Sequence, residues 1–211
     1  MVRLRAPRNQ LKRGASSTYR QQSDLIVQCA RKCIEEKGVK KTTLVDIARE
    51  ADMTRELIYY YFSGKQEIVE QLLASYIQDA VETARLWCDT WKDATLDEST
   101  PLSRDALVDA IAAIRRFVFY ATGDRRSMFA VLNEIGRRQE VFSRMCSAIM
   151  NELESHQTAK RLAATFDQYE AYQAKSAFML YLLGIIGLIE CSRCSDEEVA
   201  SLLYADADLL A

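Results

Sequence analysis

Two prolines and seven glycines in 211 residues leave few places where this chain can turn sharply. A chain built of strands needs turn residues roughly every 8 to 12 positions. Here apolar residues recur instead at helical spacing, as in Leu25, Ile26, Cys29, Ala30, Cys33 and Ile34. That stripe buries one face of a helix and leaves the other in water. With 49% of its residues apolar, the chain can also build a sizeable core. The fold class these observations predict is all-α.

Capping residues place the helix ends. A first helix over 19–37 closes at Gly38, a residue suited to the left-handed conformation beyond a helix end. Thr43 opens a second helix, with Asp46 three residues on to complete a capping box. Asp52 stands in the following turn, where Asp tolerates positive φ better than most residues. Thr54 caps a third, short helix. Ser63, paired with Gln66, is expected to open a long fourth one. Beyond a loop at 95–103, helices are predicted near 103–122, 124–135, 138–155, 157–170, 170–192 and 196–209. Gly123-Asp124 and a Ser195–Glu198 capping box mark two of these boundaries. The predicted domains are a flexible basic arm (1–18), a helix-turn-helix domain (19–68) and a larger helical domain (69–211).

Net charge near zero conceals an asymmetry. Residues 1–65 carry 14 Lys+Arg against 7 Asp+Glu, and residues 66–211 carry 14 against 23. A basic front on an acidic body points to a polyanion met by the front alone. The opening MVRLRAPRNQLKRG has no apolar run after it, so no secretory signal is read there. The uncharged stretch Ser176 to Ile189 falls short of the roughly 20 residues that span a bilayer. The expected location is cytoplasmic, with no membrane partner and the six cysteines reduced.

Residues 54–62 read TRELIYYYF. Ile58 and Phe62, four apart, share a buried face, packing on Ile47, Ala48 and Met53. Glu56 and Tyr60 then lie opposite, with Leu57 beside them, and Tyr59 and Tyr61 fall on the flanks. In a major groove, flank tyrosines meet the phosphate walls and donate to phosphate oxygens. Leu57 can touch a thymine methyl, and Glu56 can accept from cytosine N4. Lys65 adds a cation beside a helix N-terminus. The other reading of exposed tyrosines is packing against a neighbouring domain.

The stretches LIVQCARKCIEEKG, TTLVDIAREADMT and LIYYYFSGKQEIV together resemble the DNA-binding domain of the tetracycline-repressor (TetR) family over about 45 residues, from Leu25 to Val69. The resemblance implies an all-α homodimer that binds a palindromic double-stranded DNA operator. It implies a divergent C-terminal domain whose small-molecule effector releases the DNA. It places phosphate contacts on Thr43, Tyr59, Tyr61 and Lys65, and base reading on Arg55, Glu56, Leu57 and Tyr60, and Thr54, the cap, is counted with them among the DNA-binding residues. Two positions depart from the family pattern, which usually has Gly where Asp52 and Glu56 stand. Glu56 then means either an unusual operator, with a cytosine read by the carboxylate, or weaker binding.

In the family the last two long helices pair across a two-fold axis. Here that implies a dimer face on Ala177, Tyr181, Gly184, Gly187, Leu188 and Cys191, whose small residues let helices approach closely. Trp87, Trp91, Phe117, Tyr120, Met128, Phe129, Phe142, Met145 and Phe166 lie on helices the family uses to line a pocket. Aromatic and Met residues at this spacing also serve simply as core. Asn133 and Glu134 interrupt an apolar run and either orient a polar ligand or face water. Cys191 and Cys194 form a C-x-x-C, but a zinc site needs about four ligands and the chain has one histidine, His156. No phosphate-binding glycine loop, nucleophile elbow or metal motif is present, so neither an enzyme nor a cofactor is expected. The expected function is a ligand-responsive transcriptional regulator, most simply a repressor. The alternative is an architectural or cell-cycle DNA-binding protein without an effector.

Overall fold

The computed structural model of the chain describes residues 17–119, 125–165, 184, 186–187 and 195–201. All regular structure among them is helical: α1 (Ser17–Lys37), α2 (Leu44–Glu50), α3 (Arg55–Tyr61), α4 (Lys65–Thr90), α5 (Arg104–Phe119), α6 (Met128–Ile135), α7 (Arg138–Leu153) and α8 (Gln157–Thr165). Residues 196–201 are helical as well. No helix among the described residues is long and apolar enough to cross a membrane. The chain divides into two compact units, Met1–Leu72 and Leu73–Ala211, so α4 contributes to both.

The N-terminal unit is a small core wrapped by α1, α2, α3 and the first turns of α4. Ile26, Ala30 and Ile34 of α1, Ile47 of α2, Ile58 of α3 and Ile68 of α4 are fully buried. Each such isoleucine stabilises the unit by roughly 1.5–3 kcal/mol through the apolar surface it removes from water. The buried stripe of α1 differs from the predicted one: Val27 is buried, Leu25 is exposed and Cys29 is half-buried.

Local chemistry sets the ends of α2. Thr43 Oγ1 accepts from the Asp46 amide at 3.2 Å, and the Thr43 amide donates to Asp46 Oδ2 at 2.8 Å, the expected reciprocal box. At the other end, Asp52 takes φ of 51°. The Met53 amide then reaches back to the Ala48 carbonyl at 2.8 Å and the Asp52 amide to the Arg49 carbonyl at 3.3 Å. This pair of bonds is a Schellman termination, usually built on glycine. Ahead of α4 the capping differs from expectation. Both the amide and Oγ of Ser63 donate to Glu67 Oε2, at 2.7 and 2.8 Å, and not to Gln66. The helix begins at Lys65, later than a Ser63 cap would require.

In the C-terminal unit, Leu102, Ala106, Leu107, Ile111, Leu162, Val199 and Ala200 form a buried cluster that joins α5, α8 and residues 196–201. Ser127 caps α6 by accepting from Ala130, and Gly136 closes it at φ 70°. The start of α6 thus lies four residues beyond the predicted 124. The Ser195–Glu198 box is present: the Ser195 amide donates to Glu198 Oε2 at 2.7 Å and the Glu198 amide to Ser195 Oγ at 3.2 Å. Residues 1–16 of the basic arm and the Gly123-Asp124 boundary lie outside the described residues. So does nearly all of the helix expected at 170–192.

Candidate nucleic-acid interface

The short helix α3 is held by three devices. Ile58 and Phe62 anchor it in the core at 0% and 3% exposure. Thr54 Oγ1 accepts from the Leu57 amide at 3.2 Å and fixes its first turn. Tyr19, on α1, supplies the third. Its hydroxyl donates to the Tyr61 carbonyl at 3.4 Å, and its ring lies 4.8 Å from that of Tyr61. Tyr60 completes the cluster, edge-on to Tyr61 at 5.0 Å and to Tyr19 at 6.1 Å. Edge-to-face and tilted aromatic pairs at such spacings add to the energy of burial. The flank tyrosine Tyr61 is therefore half-buried as a brace between α1 and α3.

The outward face is what these anchors leave over. Thr54, Arg55, Glu56, Leu57, Tyr59 and Tyr60 are exposed, with Tyr60 the most open of the three tyrosines at 58%. Arg55 Nη2 donates to Tyr59 Oη at 3.1 Å while its guanidinium lies 5.4 Å from the Tyr59 ring centroid. A phenol that accepts from a cation keeps its own proton to donate, and hydrogen bonds in series strengthen one another. The pair thus presents a hydroxyl donor and a positive charge together. Val45 of α2, 48% exposed, was not singled out from the sequence.

Two further expected contacts are tied into the fold. Lys65 Nζ donates to the Val39 carbonyl at 2.8 Å and the Thr42 carbonyl at 2.9 Å. An ammonium has three donors, so two are engaged and its charge stands beside the loop that enters α2. Thr43 is exposed, and its hydroxyl donates to Asp46 Oδ2 at 2.7 Å. Asp46 also pairs with Lys37 at 2.7 Å. That pairing and the two Thr43 bonds hold its carboxyl far below the usual carboxylate range. Sequence reasoning placed Thr43 and Asp46 correctly as a cap. It missed Lys37 and Tyr19, whose partners are remote in the chain; an aromatic at the foot of the first helix was the available signal for Tyr19.

A second site lies wholly within the C-terminal unit. A cavity of about 120 Å³ opens between α4, α5, α7 and α8, with Ile186 also in its wall. Trp87, Phe117, Phe142 and Met145, four of the residues expected at a pocket, line it. Four others do not. Trp91 Nε1 donates to Asp109 Oδ2 at 3.0 Å, and Met128 is buried in the core. Phe129 stacks between Phe119 and Phe142, and Asn133 is exposed. Glu134 pairs with Arg126 at 3.5 Å. Tyr120 and Phe166 lie outside the described residues, as do Ala177, Tyr181, Leu188, Cys191 and Cys194. Gly184 is exposed and Gly187 half-buried. Among the described residues no group of three His, Cys, Asp or Glu side chains could hold a metal ion.

Residues 26–72 match a family described as bacterial regulatory proteins, tetR family. Over 50 residues the chain is 44% identical to the HTH-type transcriptional regulator TtgR of Pseudomonas putida, a stretch that is 24% of each protein. The chain therefore matches about a quarter of the length of its curated relatives. Among solved structures, GusR of Salmonella enterica superposes with a TM-score of 0.56 at 19% identity, over 94% of this chain and 98% of that one. RolR, described in complex with the ligand resorcinol, superposes with a TM-score of 0.54 at 14% identity, over 92% of this chain and 94% of that one. At such identities the likeness is one of fold.

Proposed function

We propose, from a chain whose N-terminal domain is of the tetR family, that this protein is a transcriptional regulator, a repressor that binds a palindromic operator as a homodimer and is released by a small molecule in its C-terminal domain. The observation that carries the reading is the outward face of α3. Arg55, Glu56, Leu57, Tyr59 and Tyr60 stand exposed on a helix pinned from behind by Ile58 and Phe62. Large apolar and aromatic side chains exposed on a rigid element need a partner surface. A major groove flanked by phosphates fits this mixture of cation, hydroxyl and methyl-seeking groups.

A helix of seven residues reaches only a few base edges, so two copies on two half-sites are needed for specificity. The dimer face assigned here runs over Ala177, Tyr181, Gly184, Gly187, Leu188 and Cys191, with support from residues 196–209. The cavity beside Trp87 supports an effector. That a protein of the same fold is described with resorcinol bound supports it further. The family consists of transcriptional regulators, and the reading assigns no reaction to the chain.

The test is binding of the full-length protein to DNA from its own upstream region, followed by fluorescence anisotropy at several salt concentrations. Sequence-specific binding whose log affinity falls linearly with log salt is the expected result. Tyr59→Phe is expected to weaken binding to all sequences alike, whereas Tyr60→Ala changes base preference. Failure to prefer any genomic fragment over random DNA would overturn the reading.

A further inference from the structure

Tyr60 and Tyr61 are consecutive, so their side chains leave α3 about 100° apart. Their rings nevertheless stand 5.0 Å apart and nearly perpendicular, at 88°. Tyr19 of α1 lies against both, tilted at 4.8 Å from the Tyr61 ring and edge-on at 6.1 Å from that of Tyr60. Its hydroxyl donates to the Tyr61 carbonyl at 3.4 Å. Tyr61 is the last residue of α3, where carbonyls have no partner within the helix. One residue of α1 thus holds both the end of α3 and the ring of Tyr60. Tyr60 is at the same time 58% exposed. A tyrosine that open on a helix surface ordinarily occupies more than one χ1 well, and fixing such a side chain on binding costs affinity. Aromatic neighbours that hold the ring in place before DNA arrives remove that cost and commit the ring to one geometry.

We propose that Tyr19 is a positioning residue for base recognition, setting the orientation in which Tyr60 meets a base edge and acting through Tyr60, not through a base contact of its own. The proposal rests on the reading of α3 as the DNA-binding element. Its rival is that the cluster only stabilises the N-terminal unit. The two differ in what DNA senses. A loss of stability weakens binding to every sequence alike. A loss of ring orientation is felt at the one base pair that Tyr60 reads, because base edges specify where phosphates only position.

The experiment is selection by the full-length chain from a randomised double-stranded DNA library, with sequencing to give the relative affinity for each base at each position. The base pair whose preference Tyr60→Ala abolishes is the one Tyr60 reads. Tyr19→Leu removes the ring and should reduce the preference at that base pair by about 3–10-fold, the contribution of an aromatic pair. Other positions should stay within about twofold. Tyr19→Phe keeps the rings and gives up only a long hydrogen bond, so it should retain the wild-type preference to within about twofold. In the Tyr60→Ala background, Tyr19→Leu should change no base preference. The salt slope should match wild type throughout, because no charge is altered. A Tyr19→Leu variant that keeps the wild-type preference at the Tyr60 base pair, or weakens every sequence alike, overturns the proposal and leaves the functional reading standing. So does a Tyr60→Ala variant with wild-type preference at every position. A wild-type chain that selects no sequence overturns both. Where Tyr19→Leu fails to fold, the wild-type complex decides. With tyrosine-labelled protein on the selected site, nuclear Overhauser effects between the Tyr19 and Tyr60 rings should persist, and their loss on DNA binding overturns the proposal.

Discussion

Lys65→Met tests the assignment of Lys65 as a structural clamp. The ammonium holds the Val39 and Thr42 carbonyls at 2.8 and 2.9 Å, bonds that span 26 and 23 residues of chain. Hydrogen bonds from a charged donor contribute about 1.5–3 kcal/mol each. Lys65 is only half-buried, so water competes for both carbonyls and the methionine recovers some apolar contact. The net loss is about 2 kcal/mol for the two bonds together. That loss falls on a particular segment. The loop it clamps leads into Thr43, the cap of α2, through Thr42, whose own hydroxyl donates to the Gly38 carbonyl at 2.8 Å. Residues 42–51 should therefore open more often, and about 2 kcal/mol corresponds to roughly 30-fold faster amide exchange there. Native-state hydrogen exchange with peptide resolution measures this directly. Both tryptophans, Trp87 and Trp91, belong to the C-terminal unit, so a urea midpoint followed by tryptophan fluorescence should hold still. Exchange within threefold of wild type would show that water replaces the ammonium at no cost, and the clamp would be refuted. The same variant reports on DNA: if Lys65 also neutralises a phosphate, the salt slope falls by about 0.9.

Asp46 carries a pH dependence. Its folded carboxyl is depressed by Lys37 and Thr43, so its contribution is present above the unfolded value of about 3.9 and is lost as pH falls below that. Asp46→Asn should lower the melting temperature at pH 7, and the gap to wild type should close as pH drops below about 4. Native labelling at pH 8 followed by peptide mapping should leave Cys88 and Cys146 unmodified, because burial keeps both thiols protonated; modification at the rate of an exposed thiol would show that the C-terminal unit opens. Asp52→Val places a β-branched residue at φ of 51° and should cost about 1–2 kcal/mol in chemical denaturation. Glu56→Gly, assayed across a randomised operator library, should abolish preference at one position; unchanged preference at every base would remove Glu56 from readout.

The parts of this protein legible in its sequence are those whose cause and effect sit within one or two helical turns. Thr43 and Asp46, Thr54 and the Leu57 amide, and Ser195 and Glu198 meet because a cap reaches only three residues along the chain. The φ of Asp52 follows from the same short-range logic, since an α2 that stops at Glu50 needs a left-handed residue to return its last carbonyls. The opposition of Ile58 to Tyr60 follows from helical periodicity alone. At two places the structure took the neighbouring residue in place of the one expected. Glu67 and not Gln66 reached Ser63, and Val27 and not Leu25 turned inward. What only the tertiary structure decided are the meetings of distant segments. Tyr19 braces Tyr61 across 42 residues, and Lys65 clamps the loop before α2. Trp87 faces an apolar cavity while Trp91, one helical turn on, finds Asp109 and leaves it. Periodicity assigns a residue to the inward face of its own helix. Whether that face then meets a side chain, a carbonyl or a hollow depends on the other helices, whose placement is a property of the whole fold.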